Sequence, residues 1–245
     1  MYISSDFSRL EINLNGCLEN YRYFRARLEA STKLLVLVKA NAYGHGAVEF
    51  ASLTEEAGAD YLAVAYPIEG IELRQAGIKS PIMVLTAGTD SFEQIINYGL
   101  EPGIPNMYSL RILCEVLQKR GMSDFPIHIK LDTGMHRLGF MTEEMQELID
   151  FLQTCKAVKV KSVYSHLAAA DDPCCDDFTL GQVQLFRENA DKLTEAIGYK
   201  PLYHILNSAG IERFPQYQFD MVRLGIGIYG VSAISGNHLS PVASF

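Results

Sequence analysis

A chain of 245 residues that is 48% hydrophobic and 20% charged has the composition of a folded globular protein, which excludes a disordered or fibrous polypeptide. Its 21 basic side chains against 29 acidic ones leave a net charge of -8, so there is no global positive field for a phosphate backbone and no nucleic-acid partner is expected. At roughly 100–200 residues per domain the length suggests one or two domains, and about 250 residues is what a single α/β barrel uses.

The first segment to stand out in chain order is SRLEINL, residues 8–14, which alternates like a half-buried antiparallel strand without an obvious partner. A helix is expected over 15–29. Eight short apolar runs follow, at 34–38, 61–65, 82–85, 100–104, 127–131, 160–165, 203–206 and 221–224, each read as a strand. Between them runs a helical period: Leu110, Leu113 and Leu117 form one apolar stripe, and Met141, Met145, Leu148, Ile149 and Leu152 another. Ser91 and Gln94 ahead of Ile95 and Ile96 read as a capping box. The fold class is therefore α/β, and eight βα units fit a closed (β/α)8 TIM barrel, although an open doubly wound sheet shows the same alternation. After the eighth strand, SAISGNHLSPVASF reads as a linker with a strand beginning at 242–245. The expected division is an N-terminal strand over 1–14, the barrel over 15–234, and linker and start of a further domain over 235–245.

No apolar run approaches the roughly 20 residues that span a bilayer, and the N-terminus lacks a basic and apolar leader. A cytoplasmic location is the expectation, with no membrane partner. The five cysteines, Cys17, Cys114, Cys155, Cys174 and Cys175, are odd in number and not spaced as a disulfide framework or a zinc site, so they are read as free thiols, the vicinal pair in an exposed loop. No metal is expected.

Barrel sites are built where strands end, and these ends are rich in polar residues. The first strand runs into VKANAYGHG, the fifth into KLDTGMHRLGF, the sixth into SHLA, the seventh into LNSAG and the eighth into VRLGIGIYG. Lys39 closes an apolar strand, so its amine is partly desolvated and suits Schiff-base chemistry, though a lysine snorkelling from a strand end looks the same. Ser208 at a helix start and the Gly225–Ile226 backbone lie after strands seven and eight, where barrels commonly hold phosphate. Phosphate together with lysine suggests pyridoxal phosphate. Arg223 and Arg137 are strand-end cations that suit a ring nitrogen, a phenolate or a carboxylate. The single DTG at Asp132–Thr133–Gly134 lacks the second carboxylate of an aspartic protease. The GxGxxG at Gly225, Gly227 and Gly230 has too little chain after it for the acidic residue of a dinucleotide site.

Taken together and in this order, those five motifs resemble the N-terminal barrel of the alanine racemases, from about Leu10 to the end of the chain. The resemblance implies a pyridoxal 5'-phosphate enzyme that interconverts L- and D-alanine and supplies D-alanine for peptidoglycan, working as a homodimer on a small amino-acid substrate. It implies that Lys39 forms the internal aldimine and is the base on one face of the substrate. Tyr43 and Ser208, with the N–H groups of Gly225 and Ile226, would bind the cofactor's phosphate, and Asn207 would be a further cofactor-binding residue. Arg223, held by His166, would meet the ring nitrogen. Arg137 would face the phenolate oxygen and the substrate carboxylate, and Lys130 matches a lysine that many members carry as a carbamate.

The resemblance also implies a following β-rich domain, whose tyrosine serves as the opposite base in the partner subunit. The strand at 8–14 would belong to that domain, so the sequence is expected to be a fragment that binds cofactor and turns over poorly. A cofactor carrier of the same barrel type, a racemase for another amino acid such as serine, and a fusion to a cell-wall ligase are the alternatives.

Overall fold

The protein is described here from a computed structural model, which describes residues 10–234 and 238–244. The chain opens with β1 (Glu11–Ile12) and α1 (Leu14–Arg25), then alternates β2 (Lys33–Leu37), α2 (Ala47–Glu56), β3 (Tyr61–Val64), α3 (Pro67–Gln75), β4 (Ile82–Val84), α4 (Phe92–Asn97) and β5 (Glu101–Ile104). It continues with α5 (Met107–Lys119), β6 (Phe125–Lys130), α6 (Met145–Thr154), β7 (Val158–Tyr164), α7 (Asp176–Ile197), β8 (Leu202–His204), α8 (Ser208–Arg213), β9 (Met221–Leu224) and β10 (Ala243–Ser244).

All eight expected strands form. They pair in parallel in the order β8-β7-β6-β5-β4-β3-β2-β9. The Asp220 N–H donates to the Tyr203 carbonyl at 3.2 Å and the Arg223 N–H to the Leu206 carbonyl at 3.0 Å, bonds that join β9 to the β8 side and close the ring. The closed barrel, and not the open doubly wound sheet, is the architecture. Strands such as β3 are buried along their whole length because both faces are covered. Leu35, Tyr61, Ala63, Met83, Tyr164 and Met221 pack inside the ring, while their alternating neighbours, Leu34, Val36, Leu62 and Val64 among them, pack outward under the helices.

The structure corrects four local expectations. The first helix ends at Arg25 and not near Glu29; Arg25 donates to the Thr32 carbonyl at 2.6 Å and to the Glu29 carbonyl, which folds residues 26–32 into a loop. Ser91 does not cap α4: it ends a 3-10 turn, Thr89–Ser91, and its hydroxyl donates backward to the Gly88 carbonyl at 2.6 Å. Met141 leaves the stripe of α6 because it sits in extended backbone ahead of the turn Thr142–Glu144, and it is exposed, whereas Met145 and Leu148 are buried.

The fourth correction concerns the N-terminal strand, which does have a partner. β1 pairs antiparallel with β10, Glu11 opposite Ser244 and Ile12 opposite Ala243, and the Asn13 N–H adds a bond to the Val242 carbonyl at 2.8 Å. Asn20 anchors the returning chain, donating to the Ile228 and Ser240 carbonyls and accepting the Ser240 N–H. The parts of the terminal expectations that fall on residues 1–9, 235–237 and 245 lie outside the described residues. All five cysteines are free thiols. No helix among the described residues is long and apolar enough to cross a membrane.

Candidate active site at the strand C-termini

At the C-terminal end of the barrel lies a cavity of about 740 Å³ whose lining includes Lys39, Tyr43, Lys130, Arg137, His166, Asn207, Ser208, Arg223, Gly225 and Ile226. Every residue singled out from the sequence is therefore brought to one cavity. They differ in how they are held.

Lys39 is half-buried, one residue past the fully buried Val38. The backbone then enters a left-handed turn: Ala40, Asn41, Ala42 and Tyr43 have φ of 51°, 53°, 51° and 54°. Left-handed helical backbone costs a non-glycine residue about 1–2 kcal/mol, so four in a row need external ties. The ties are present. The Ala42 N–H donates to the Val38 carbonyl at 2.9 Å, the Gly46 N–H to the Asn41 carbonyl at 3.0 Å, and the Ala47 N–H to Asn41 Oδ1 at 2.8 Å. The turn brings the Tyr43 hydroxyl back over Gly225, where a Cβ would stand 3.1 Å from it. The Tyr43 ring packs on Tyr229 with centroids 4.7 Å apart.

Asn207 caps α8, its Oδ1 accepting the Gly210 N–H at 2.9 Å. Ser208 Oγ accepts two N–H groups, from Gly225 at 2.9 Å and from Gly227 at 3.1 Å. A hydroxyl has two acceptor lone pairs and one proton, so Ser208 is left to act only as a donor. Ile226 opens a 3-10 turn, Ile226–Tyr229, and its N–H has no acceptor within that turn. The Gly225 N–H, expected to face the cavity, is instead bonded to the serine.

Arg223 is 3% exposed. Its guanidinium donates to the carbonyls of His204 at 3.0 Å, Ile205 at 3.0 Å and Ser165 at 2.5 Å, to His204 Nδ1 at 3.0 Å and to His166 Nδ1 at 3.3 Å. Guanidinium can only donate, so both histidines present a bare Nδ1 and carry their proton on Nε2. The bonds then run on through the barrel. His204 Nε2 donates to Ser162 Oγ (2.8 Å), Ser162 Oγ and His128 Nδ1 share a hydrogen bond at 2.6 Å, and His128 Nε2 donates to Glu101 Oε2 (2.9 Å). Tyr61 also reaches Glu101, at 3.3 Å.

Burial, with Arg223, Lys130 and Arg137 nearby, pushes the His166 pKa down to about 3, and burial with Arg223 holds His204 well below the ordinary histidine range. Burial lowers Arg223 to about 10. At the far end, burial raises the Glu101 pKa, but its bonds from His128 and Tyr61 and the charge of Lys161 outweigh that and lower it.

Lys130, 8% exposed, has its pKa lowered to about 8 by burial and by the charges of Arg137 and Arg223, against the pull of Asp132. Arg137 stands exposed on the loop after β6. Asp132 shapes that loop, accepting the Gly134 N–H at 2.9 Å and the His136 N–H at 3.0 Å, so the DTG is a turn and not a catalytic carboxylate. Tyr164 closes the floor with its hydroxyl buried and without a hydrogen-bond partner among the described residues; a Cβ on Gly103 would stand 2.5 Å from that oxygen.

His204, Ser162, His128, Glu101 and Tyr164 were not singled out from the sequence. The available signal was clear only for His128 and His204, each a polar residue beside apolar ones in a strand, which a ring of eight strands turns inward.

The family model "Alanine racemase, N-terminal domain" matches residues 12–233. An alanine racemase from Synechocystis sp. is 38% identical over 224 residues, 91% of this chain and 60% of that protein. Among solved structures, an alanine racemase from Clostridium difficile 630 in complex with cycloserine superposes with a TM-score of 0.89 at 34% identity, over 96% of this chain and 66% of the other. One from Bartonella henselae with covalently bound pyridoxal phosphate gives 0.85 at 27% identity, over 96% and 64%. The chain thus spans about three fifths of the length of the curated relative it matches.

Proposed function

This chain belongs to the alanine racemase N-terminal domain family, and from that premise we propose that it is the pyridoxal-phosphate-binding barrel of a racemase that interconverts L- and D-alanine, supplying D-alanine for peptidoglycan. The observation that carries the reading is Ser208, a hydroxyl with both lone pairs occupied beside a lysine in one cavity. Its remaining proton suits an anion that only accepts, as a phosphate does. The cavity residues fit the cofactor on this ground and on the donor set around it.

Pyridoxal phosphate, when bound, supplies an electron sink that acidifies the substrate's Cα–H. Lys39 is the attachment point and takes or returns the proton on one face. Tyr43 and Ser208 with the Ile226 N–H hold the phosphate end, while the Gly225 N–H, bonded to Ser208 Oγ, and the Asn207 side chain, bonded to the Gly210 N–H, shape the turns that carry them. Arg223, saturated with acceptors on its inner side, offers the ring nitrogen an N–H of weak acidity and no proton to give away. Arg137 binds the substrate carboxylate and phenolate oxygen. Lys130, with its pKa at about 8, has enough free amine near neutral pH to take up carbon dioxide as a carbamate, releasing one proton, and so become an anion that orients Arg137.

The opposite base is a tyrosine of a β-rich domain in the partner subunit of a homodimer, with the barrel over 15–234 as one unit between the terminal segments. This barrel alone then turns over poorly. The test is conversion of D-alanine to L-alanine by the full-length protein with cofactor attached at Lys39. Appearance of L-alanine supports the racemase; cofactor attachment with no conversion overturns it and leaves a carrier. Conversion of serine in preference to alanine overturns the substrate assignment.

A further inference from the structure

We propose that Glu69 is a positioning residue for Lys39, clamping the backbone directly after the lysine so that its amine stays aimed into the cavity. The inference rests on the reading of Lys39 as the attachment point.

Lys39 is followed by four left-handed residues without a glycine among them. Local sequence does not favour that path, so the direction in which the chain leaves Lys39 is set by what grips the turn. The grip on its first residue comes from another element. The Ala40 N–H donates to Glu69 Oε1 at 2.6 Å. The other carboxylate oxygen, Oε2, accepts the N–H groups of Ala65 at 2.7 Å and Tyr66 at 2.9 Å, where the chain leaves β3. One half-buried carboxylate thus ties the exit of β2 to the exit of its neighbour.

Glu69 is also the third residue of α3, and a glutamate there ordinarily turns back to the N-cap N–H alone. Its bond to Tyr66 is that cap. The bond to Ala40 lies outside the helix and adds nothing to helix capping, which separates a positioning role from a structural one. The two oxygens face different donors, so a carboxylate satisfies both sides and an amide satisfies one, turning its NH2 against the other.

The experiment compares wild type, Glu69→Gln and a control, Glu144→Gln. Glu144 makes the same kind of cap with a single donor, the Met141 N–H at 2.8 Å, which an amide oxygen serves equally well. Three quantities are read: the rate at which pyridoxal phosphate becomes covalently attached to Lys39, where the amine condenses with the aldehyde and releases water; the affinity for pyridoxamine phosphate, which has ring and phosphate but no aldehyde; and amide hydrogen exchange at Ala40 in the cofactor-free protein.

Glu69→Gln is expected to slow attachment about tenfold or more, to speed exchange at Ala40 about tenfold, and to leave pyridoxamine phosphate affinity within about twofold. Glu144→Gln is expected to change none of the three. Attachment in Glu69→Gln at the wild-type rate, or unchanged exchange at Ala40, overturns the clamp. Equal loss of pyridoxamine phosphate affinity assigns Glu69 to general cavity structure and overturns it as well. A wild type that never attaches cofactor at Lys39 overturns the reading on which the inference stands, whatever exchange at Ala40 shows.

Discussion

Arg223 Nη1 lies 3.0 Å from His204 Nδ1, and that contact fixes the direction of the next hydrogen bond, from His204 Nε2–H to Ser162 Oγ, since a guanidinium cannot accept. His204 should carry its proton on Nε2. Nitrogen-15 NMR of histidine-labelled protein should show His204 neutral and Nε2-protonated at pH 7; an Nδ1–H signal from that ring would contradict the contact with Arg223.

His166 and His204 make stability depend on pH. His166 is lowered to about 3 and His204 well below its ordinary value, so between those values and the unfolded histidine pKa near 6.5 the unfolded chain binds more protons than the folded one. Stability is therefore full above about pH 6.5 and falls as the pH drops below it. Thermal melts from pH 8 to pH 5 should show a falling Tm below about 6.5, and His204→Asn should reduce that slope. A Tm independent of pH through that window would contradict the burial of both rings as neutral groups.

At the end of the chain, removing Glu101 strands the Nε2–H of His128 inside the barrel. Glu101→Ala should cost about 1–3 kcal/mol in urea unfolding, the range for a buried donor left without an acceptor, whereas Glu101→Gln, whose amide oxygen can still accept, should cost less. Equal losses would mean that the charge and not the acceptor matters.

Tyr164 and Gly103 test the floor of the cavity. A Cβ at position 103 would meet the Tyr164 hydroxyl at 2.5 Å, so Gly103→Ala should destabilise by about 1–3 kcal/mol. Tyr164→Phe removes a buried hydroxyl that has no hydrogen-bond partner among the described residues, and should be near neutral. The double variant should recover most of the loss, a coupling of about 1 kcal/mol or more in a double-mutant cycle. Additive effects would place the two side chains apart.

The sequence made the barrel legible because a strand covered on both faces leaves a short continuous apolar run, and eight such runs alternate with helical stripes. It could not show whether the ring closes, which depends on long-range bonds such as Arg223 N–H to the Leu206 carbonyl. Lys39, Arg137, Ser208, Arg223, Gly225 and Ile226 were legible because they sit in loops and at strand ends, whereas Tyr43, Lys130, His166 and Asn207 were legible through the resemblance alone. His128 and His204 were passed over, since each stands between apolar neighbours, and Ser162 because it follows Lys161 in a strand that alternates with lysines; the partners of all three come from other strands. The left-handed turn after Lys39 was equally invisible, because ANAY carries no glycine to announce it. Ser91 and Met141 misled for one shared reason: each precedes its helix by way of a 3-10 turn that changes where the side chain points.

The proposed phosphate site is tested at Ser208. Ser208→Ala should weaken binding of pyridoxamine phosphate by about 1–3 kcal/mol, through loss of a charge-assisted hydrogen bond. It should also lower stability, because the Gly225 and Gly227 N–H groups lose their shared acceptor. Undiminished affinity, read by fluorescence titration, would remove the serine from the phosphate site.

The most direct test of the account is the position of the cofactor's covalent bond. Protein mixed with pyridoxal phosphate, reduced with borohydride and digested should yield its labelled peptide at Lys39, the half-buried lysine of the cavity, and Lys39→Ala should yield none. A label at Lys130 or at a surface lysine, with Lys39 unmodified, would contradict the central assignment.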